Sequence, residues 1–275
     1  MASFPIIAFI GAGNMGSSLI GGLIHHGHPS DRLWASDPSQ EKLSDLHNHY
    51  HIHTTTDNTK VVEAADVVIF AIKPQLVAQV AQSLASTIQQ HRPLVISIAA
   101  GVRVCNIKQW LEAKVTIVRA MPNTPALIGY GATALYTNLE TADYHRELAE
   151  TIMKSVGIVK WLPEEALMDN ITALSGSGPA YFFLMMEALE NAAVDLGLPH
   201  DIAHTFTLQT VKGAAEMAGK MHKSFAELRE QVTSKGGTTE KGVAILEEHN
   251  IRGLLKMTLQ AAKLRSEELA LPLGD

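Results

Sequence analysis

Short β-branched apolar runs alternate with amphipathic stretches over the first part of the chain. The runs are Ile6 to Ile10, Leu33 to Ser36, Val67 to Ile72, Leu94 to Ile98, Val115 to Val118, Ala132 to Tyr136 and Ile158 to Leu162. A strand that is apolar at consecutive positions is covered on both faces, so runs separated by helical patterns predict a doubly wound, mostly parallel sheet. Past Pro163 the β pattern stops. Apolar residues then recur at helical spacing over Glu164 to Leu174, Pro179 to Leu196, His200 to Met221, Phe225 to Val232, Thr239 to His249 and Arg252 to Leu269. The expectation is an α/β domain over residues 1–162 followed by an all-α domain over residues 163–275.

Several of the later helices carry small or flexible apolar side chains nearly all round: Met185, Met186, Ala188, Ala192 and Ala193, then Ala214, Ala215 and Ala218. Such a helix wants more cover than one layer gives, from a partner subunit or from a monomer core. At 275 residues and 46% hydrophobic the chain can bury a core in each of two domains. Lys plus Arg number 22 against 28 Asp plus Glu, with no basic run, which argues against a partner read through its phosphates and for a small-molecule one. Cys105 is the single cysteine, so neither a disulfide framework nor a multi-thiolate metal site can form within the chain. The start of the chain lacks a basic region before its apolar run, and no apolar stretch reaches about 18 residues. A cytoplasmic protein that does not span a membrane is the expectation.

The first chemical motif is Gly11-Ala12-Gly13-Asn14-Met15-Gly16, placed between the first strand and a helix with Met15, Leu19, Ile20, Leu23 and Ile24 on its apolar stripe. In that strand-turn-helix setting Gly11 allows the tight turn, Gly13 lets backbone approach a pyrophosphate, and Gly16 lets helix pack on strand. Phosphates then sit at the helix N-terminus. Asp37 ends the second run, about twenty residues on, where the Rossmann pattern puts an acid for the adenosine ribose. It serves equally as the N-cap of a helix starting at Pro38. Ser36, Ser39 and Lys42 lie close enough in sequence to reach a ribose phosphate, so NAD and NADP both stay open.

Three further strand ends carry loops of small residues and prolines: Ala71-Ile72-Lys73-Pro74, Ser97-Ile98-Ala99-Ala100-Gly101, and Arg119-Ala120-Met121-Pro122-Asn123-Thr124-Pro125. The C-terminal ends of parallel strands line the ligand crevice, and these loops suit a rigid wall against a flat nicotinamide ring, or are ordinary loop punctuation. In the helical half, Leu174 to Tyr181 interrupts the helices. Val232-Thr233-Ser234-Lys235-Gly236-Gly237-Thr238-Thr239 opens another helix with hydroxyls, glycines and unbonded N–H groups that favour an anion such as a substrate carboxylate. A plain capping loop with Thr238 or Thr239 as N-cap is the alternative.

His47, His49, His51 and His53 alternate as strand neighbours would, which invites a metal reading. No cysteine or carboxylate completes the set and the segment crosses a helix-to-strand junction, so no metal is expected. Gly176-Ser177-Gly178 joins helices and is not a nucleophile elbow.

Taken together, these motifs, with Ser175-Gly176-Ser177-Gly178-Pro179-Ala180-Tyr181 and the glycine-threonine loop followed by Gly242-Val243, resemble pyrroline-5-carboxylate reductase over essentially the whole chain. The resemblance implies a Rossmann domain followed by a helical dimerisation domain, and a homo-oligomer, a dimer or a ring of dimers, whose subunits together build each active site. It implies NADPH or NADH as cofactor, reducing the C=N bond of 1-pyrroline-5-carboxylate to L-proline. Cofactor-binding positions would be Gly11, Ala12, Gly13, Asn14, Met15, Ser36, Asp37, Ala71, Lys73, Pro74, Ala99, Gly101, Met121, Pro122 and Asn123. Substrate-binding positions would be Ser234, Gly236, Gly237, Thr238, Thr239 and Ser175, with Thr239 as the catalytic hydroxyl beside the imine nitrogen. Within the anion loop, the Ser234 hydroxyl and the N–H groups of Gly237 and Thr238 are expected to hold the carboxylate. The family usually has proline where Lys235 stands, so the loop loses one stiffening element here.

A protonated imine already accepts hydride well, so positioning two flat rings and a carboxylate matters more than a strong acid. That agrees with motifs rich in glycine, serine and threonine. A β-hydroxyacid dehydrogenase would need a lysine in the helical break, and Ser175 to Tyr181 has none. A non-catalytic nucleotide sensor would not need the loop from Ser234 to Thr239.

Overall fold

The computed structural model describes residues 4–112, 114–138 and 141–270. It begins with a repeating strand-helix pattern: β1 (Ile7–Ile10), α1 (Asn14–His25), β2 (Leu33–Ser36), α2 (Gln40–Tyr50), β3 (His53–Thr55), α3 (Asn58–Ala64), β4 (Val67–Phe70), α4 (Pro74–His91), β5 (Leu94–Ser97) and α5 (Val104–Leu111). β6 (Ile117–Met121), β7 (Gly131–Thr137), α6 (Asp143–Lys154) and β8 (Gly157–Trp161) complete one eight-stranded sheet in the order β3-β2-β1-β4-β5-β6-β7-β8. Every neighbouring pair is parallel except β6 with β7. The strand order reverses direction at β1, which pairs with β2 on one side and β4 on the other. The loops after β1 and β4 therefore diverge to opposite faces and open a crevice between them, the usual ligand position in such sheets.

The central strands β1 and β4 are apolar at every position because helices cover both faces. Ile7 and Phe9 face one core with Leu19, Leu23 and Leu43, while Ala8 and Ile10 face the other with Val77, Leu84 and Ile107. At about 25 cal/mol per Å2 of apolar surface removed from water, this two-sided burial is the main stabilising term.

Two strands differ from the sequence expectation. β3 escapes detection because His53–Thr55 is a short edge strand with no apolar run, paired on one side only. β6 runs to Met121, beyond the expected end at Val118, because Arg119, Ala120 and Met121 pair antiparallel with Tyr136, Leu135 and Ala134. The charge that this longer strand takes into the fold is matched: Arg119 is buried and its Nη1 lies 3.1 Å from Glu165 Oε1, which also accepts the Val104 N–H at 2.9 Å.

Beyond β8 the chain is helical: α7 (Leu167–Ile171), α8 (Gly178–Asp195), α9 (His200–Lys220), α10 (Phe225–Gln231), α11 (Thr238–Glu248) and α12 (Ile251–Ala270). The chain forms two compact units, one that runs to Ser177 and takes in the last helix from Ala261, and one comprising Gly178–Gln260. The first unit thus extends past Pro163. α7 and the following turn belong to it, held by the buried hydrogen bond from Ser266 Oγ of α12 to Asp169 Oδ1 at 2.6 Å. In the second unit α8 and α9 leave large side chains uncovered, among them Phe182 at 59%, Phe183 at 65% and Phe206 at 67% exposure.

Candidate active site

The glycine turn after β1 is built as its spacing requires. Gly11 has φ +108°, and a side chain there would collide with the carbonyl of Ala71 at the end of β4. A Cβ on Gly16 would fall 2.7 Å from Gly11 O, so that glycine lets α1 seat against the turn. Gly13 differs: a Cβ there would meet nothing within 4 Å. Its missing side chain serves no internal packing and leaves open space over the backbone. Gly13 is also the N-cap of α1 and makes no side-chain cap bond. The first intrahelical bond runs from Ser17 N–H to Gly13 O at 2.9 Å, so the N–H groups of Asn14, Met15 and Gly16 precede any helical acceptor. These donors and the helix dipole make an anion seat, and the open backbone at Gly13 fits a dinucleotide pyrophosphate.

Asp37 closes the turn from β2. Its Oδ2 accepts the Ala12 N–H at 2.9 Å and its Oδ1 accepts the Ser39 N–H at 2.9 Å. The N-cap of α2 is Ser39, so Asp37 is not the cap that its place before Pro38 allowed. Ser36, one of three residues close enough in sequence to reach a ribose phosphate, has its hydroxyl turned away from the surface. It is fully buried, with Oγ turned to Phe9 O at 3.4 Å, because strand alternation points it into the sheet core. Ser39 and Lys42, whose Nζ stands 3.9 Å from Asp37 Oδ2, remain at the surface. A cleft of about 660 Å3 opens beside the turn, walled by Ala12, Gly13 and Asn14 and, across it, by Lys42, Leu46 and Tyr50 of α2. Of this wall the sequence pointed only to Lys42; Leu46 and Tyr50 carried no signal of a ligand cleft.

The other strand ends lie along the same edge of the sheet. Lys73 caps α4 with Pro74 at its first turn, and Ala71 backs the glycine turn. Ala99 is buried, and its N–H reaches Ser97 Oγ at 3.4 Å. Gly101, with φ +77°, is buried against the end of α12, where a Cβ would lie 3.6 Å from Ala270 N. After β6, Pro122 is buried, Met121 is half-buried, and its methyl lies where a Gly176 side chain would need to be, 2.8 Å from that Cβ position. Asn123 is committed internally at both ends: Nδ2 donates to Ser175 O at 3.0 Å and Oδ1 accepts the Ala132 N–H at 2.8 Å. Its amide thus braces the loop between Ser175 and Ala132.

The break before α8 is a π-helical turn over Thr172–Gly176, closed by Ser177 N–H to Thr172 O at 2.9 Å. Such turns cost regular hydrogen bonding and recur at functional sites. Within it the Ser175 hydroxyl donates to Ile171 O at 3.1 Å.

At the second glycine loop the N-cap of α11 is Gly237, and Thr238 and Thr239 are the first two helical residues, so neither threonine is the cap. No side chain caps this helix start. A Cβ on Gly237 would fall 2.6 Å from Ser234 Oγ, so glycine is required for that hydroxyl to sit over the helix end. Gly236, with φ +74°, donates its N–H to Glu240 Oε2 at 2.7 Å. The Gly237 N–H is likewise taken, by Ser234 O at 3.0 Å. That excludes it as the carboxylate donor the sequence pointed to. The first intrahelical bond is Lys241 N–H to Gly237 O, which leaves the N–H groups of Thr238 and Thr239, beside an exposed Thr239 hydroxyl, for an anion.

The alternating histidines separate. His47 and His49 lie on α2, His51 is its left-handed C-cap, and His53 stacks on Trp34 at 4.5 Å in β3. Among the described residues no group of three or more His, Cys, Asp or Glu is placed to hold a metal ion, and no helix is long and apolar enough to cross a membrane.

Residues 165–269 match the model described as pyrroline-5-carboxylate reductase dimerisation, and residues 6–101 match that of NADP oxidoreductase coenzyme F420-dependent. The chain is 44% identical to pyrroline-5-carboxylate reductase of Pseudomonas aeruginosa, over 99% of this chain and 100% of that protein. The solved pyrroline-5-carboxylate reductase of Coxiella burnetii superposes with a TM-score of 0.92 at 43% identity, covering 98% of this chain and 99% of that one. That of Plasmodium falciparum, solved with NADP bound, gives 0.85 at 28% identity, covering 97% and 98%.

Proposed function

The chain belongs to the pyrroline-5-carboxylate reductase family, and from that premise we propose that it reduces 1-pyrroline-5-carboxylate to L-proline with NADPH or NADH, the last step of proline biosynthesis. The observation that carries the reading is that α1 and α11 both begin at glycines with no side-chain cap, each presenting unbonded N–H groups to an anion. One fits a pyrophosphate and the other a carboxylate.

When bound, the cofactor supplies a hydride from nicotinamide C4 to the imine carbon, while a proton adds to the ring nitrogen. The N–H groups of Asn14 and Met15 would hold the pyrophosphate over the open backbone at Gly13, and Asp37 would face the adenosine ribose. Ala71, Lys73, Pro74, Ala99, Gly101, Met121 and Pro122 would wall the nicotinamide. On the substrate, the Ser234 hydroxyl and the N–H groups of Thr238 and Thr239 hold the carboxylate and so fix the ring's orientation. A threonine hydroxyl is too weak an acid to protonate a base unaided near neutral pH. Thr239 therefore aligns the ring nitrogen by a hydrogen bond or relays a proton from water.

The active unit is a homodimer, an assembly supported by the uncovered phenylalanines of α8 and α9. Larger rings of dimers and a cytoplasmic location belong to the same reading.

The test follows NAD(P)H absorbance with 1-pyrroline-5-carboxylate and, in reverse, NAD(P) with 3-hydroxyacids. Oxidation of NAD(P)H by the imine alone is the expected outcome. Turnover of the hydroxyacids alone would replace the reading with a dehydrogenase, and no turnover of either would leave a nucleotide-binding protein.

A further inference from the structure

Two loops wall the proposed nicotinamide position, one after β5 that carries Ala99 and Gly101 and one after β6 that carries Met121 and Pro122. Both are tied to one short segment, Glu165 through α7. Glu165 Oε1 accepts the Val104 N–H at 2.9 Å and lies 3.1 Å from Arg119 Nη1. Val104 opens α5 three residues after Gly101, and Arg119 stands two residues before Met121. One carboxylate oxygen thus joins the roots of both loops. The Val104 N–H belongs to a helix start, where a carboxylate is favoured. Arg119 is 2% exposed, and a charge buried that far needs its partner.

Four residues on, Asp169 makes the connection a second time. It is 5% exposed and accepts the Ser266 hydroxyl of α12 at 2.6 Å. One turn beyond Ser266, Ala270 is also buried and its N lies 3.6 Å from the Cβ position of Gly101, so the end of α12 rests on the first loop. In the other direction α7 runs into the π-helical turn, where Ser175 O accepts Asn123 Nδ2 at 3.0 Å and Gly176 leaves room for the Met121 methyl. That turn rests on the second loop. Buried polar pairs of this kind fix geometry, because either group alone is costly to leave unpaired.

We propose that the segment from Glu165 through α7 is a positioning element for the nicotinamide: Glu165 and Asp169 set the gap between the two loops and so hold the ring against its wall. The inference rests on the function proposed above. Both carboxylates act through the loops, which makes them positioning residues and not catalytic ones. The pyrophosphate and adenosine are held elsewhere, at the glycine turn and Asp37, so loosening this brace acts on the nicotinamide half of the cofactor alone.

Calorimetric titration with NADH and with ADP-ribose, which keeps the pyrophosphate and adenosine but lacks nicotinamide, separates the two halves. Ser266→Ala and Glu165→Gln should each weaken NADH about fivefold, within the worth of one lost hydrogen bond, and leave ADP-ribose at parent affinity. Ser266→Thr, which keeps the hydroxyl, should bind NADH as the parent does. With 1-pyrroline-5-carboxylate and NADH deuterated at the transferred C4 hydrogen, the primary isotope effect should rise in both weakened variants, because a misplaced ring slows the hydride step. Should Glu165→Gln fail to fold around the buried Arg119, Ser266→Ala still reads the brace. Parent NADH affinity in Ser266→Ala, or equal weakening of NADH and ADP-ribose, would overturn the proposal. A parent enzyme that binds NADH yet leaves the imine unreduced would count against the proposed function instead, and the comparison of NADH with ADP-ribose would still decide the brace.

Discussion

Asp37 Oδ2 accepts the Ala12 N–H at 2.9 Å, so the end of β2 is tied directly to the glycine turn that follows β1. The same carboxylate orders the entry to α2 through Ser39. Asp37→Ala should therefore act on both cofactor affinity and cofactor choice. Losing a charge-assisted bond to the turn should weaken NADH binding by about tenfold or more, or ~1.4 kcal/mol. Removing the negative charge beside Ser39 and Lys42 should raise the kcat/KM ratio of NADPH to NADH. The parent is expected to use both with a modest lean to NADH. A parent ratio favouring NADPH by more than about tenfold, ~1.4 kcal/mol, would show that Ser39 and Lys42 outweigh the carboxylate.

The glycines of the turn separate cleanly by experiment. A Cβ on Gly13 meets no neighbour, whereas one on Gly16 falls against Gly11 O. Gly13→Val should keep a near-parent melting temperature and lose NAD(P)H binding, and Gly16→Val should lower the melting temperature itself. Unchanged cofactor affinity in folded Gly13→Val would remove this turn from the cofactor site.

Sequence alone revealed the sheet and the helical half because apolar periodicity is local and strong: seven strand runs and the glycine turn stand where they were expected. What escaped was tertiary. Nothing in Ser36 or Asn123 announces that one hydroxyl is turned into the core and one amide is spent bracing Ser175 and Ala132. Arg119 hid the end of β6 because its partner, Glu165, lies far away in sequence. The glycine-threonine loop was legible as an anion seat, but which N–H groups it spends on its own turn was not.

α8 and α9 predict an obligate partner surface. Phe183→Asp should shift the protein to monomer in light scattering and abolish activity at assay concentration, because a charge cannot be buried in an apolar interface without a partner. A fully active monomer, in the parent or the variant, would contradict a dimeric active unit.

His28 makes stability depend on pH. Burial lowers its folded pKa below the ordinary 6.5, so between those two values the unfolded chain binds more protons than the folded one. Its contribution is complete above about pH 6.5 and is lost as pH falls through the folded value. The urea midpoint of the parent should drop from about pH 7 to about pH 5, and His28→Phe should flatten that slope. An identical slope in the variant would place the acid sensitivity elsewhere.

The loop from Ser234 to Thr239 is where substrate is held in this account, and steady-state kinetics of two variants test it most directly. Ser234→Ala should chiefly raise KM for the imine, since a carboxylate is bound alike in ground and transition states. Thr239→Val keeps the shape and deletes the hydroxyl. It should lower kcat/KM by roughly tenfold to a hundredfold, about 1.4 to 2.7 kcal/mol, with cofactor affinity unchanged. If Thr239→Val reduces 1-pyrroline-5-carboxylate at the parent rate with parent cofactor affinity, Thr239 is only the second residue of a helix and the substrate site lies elsewhere.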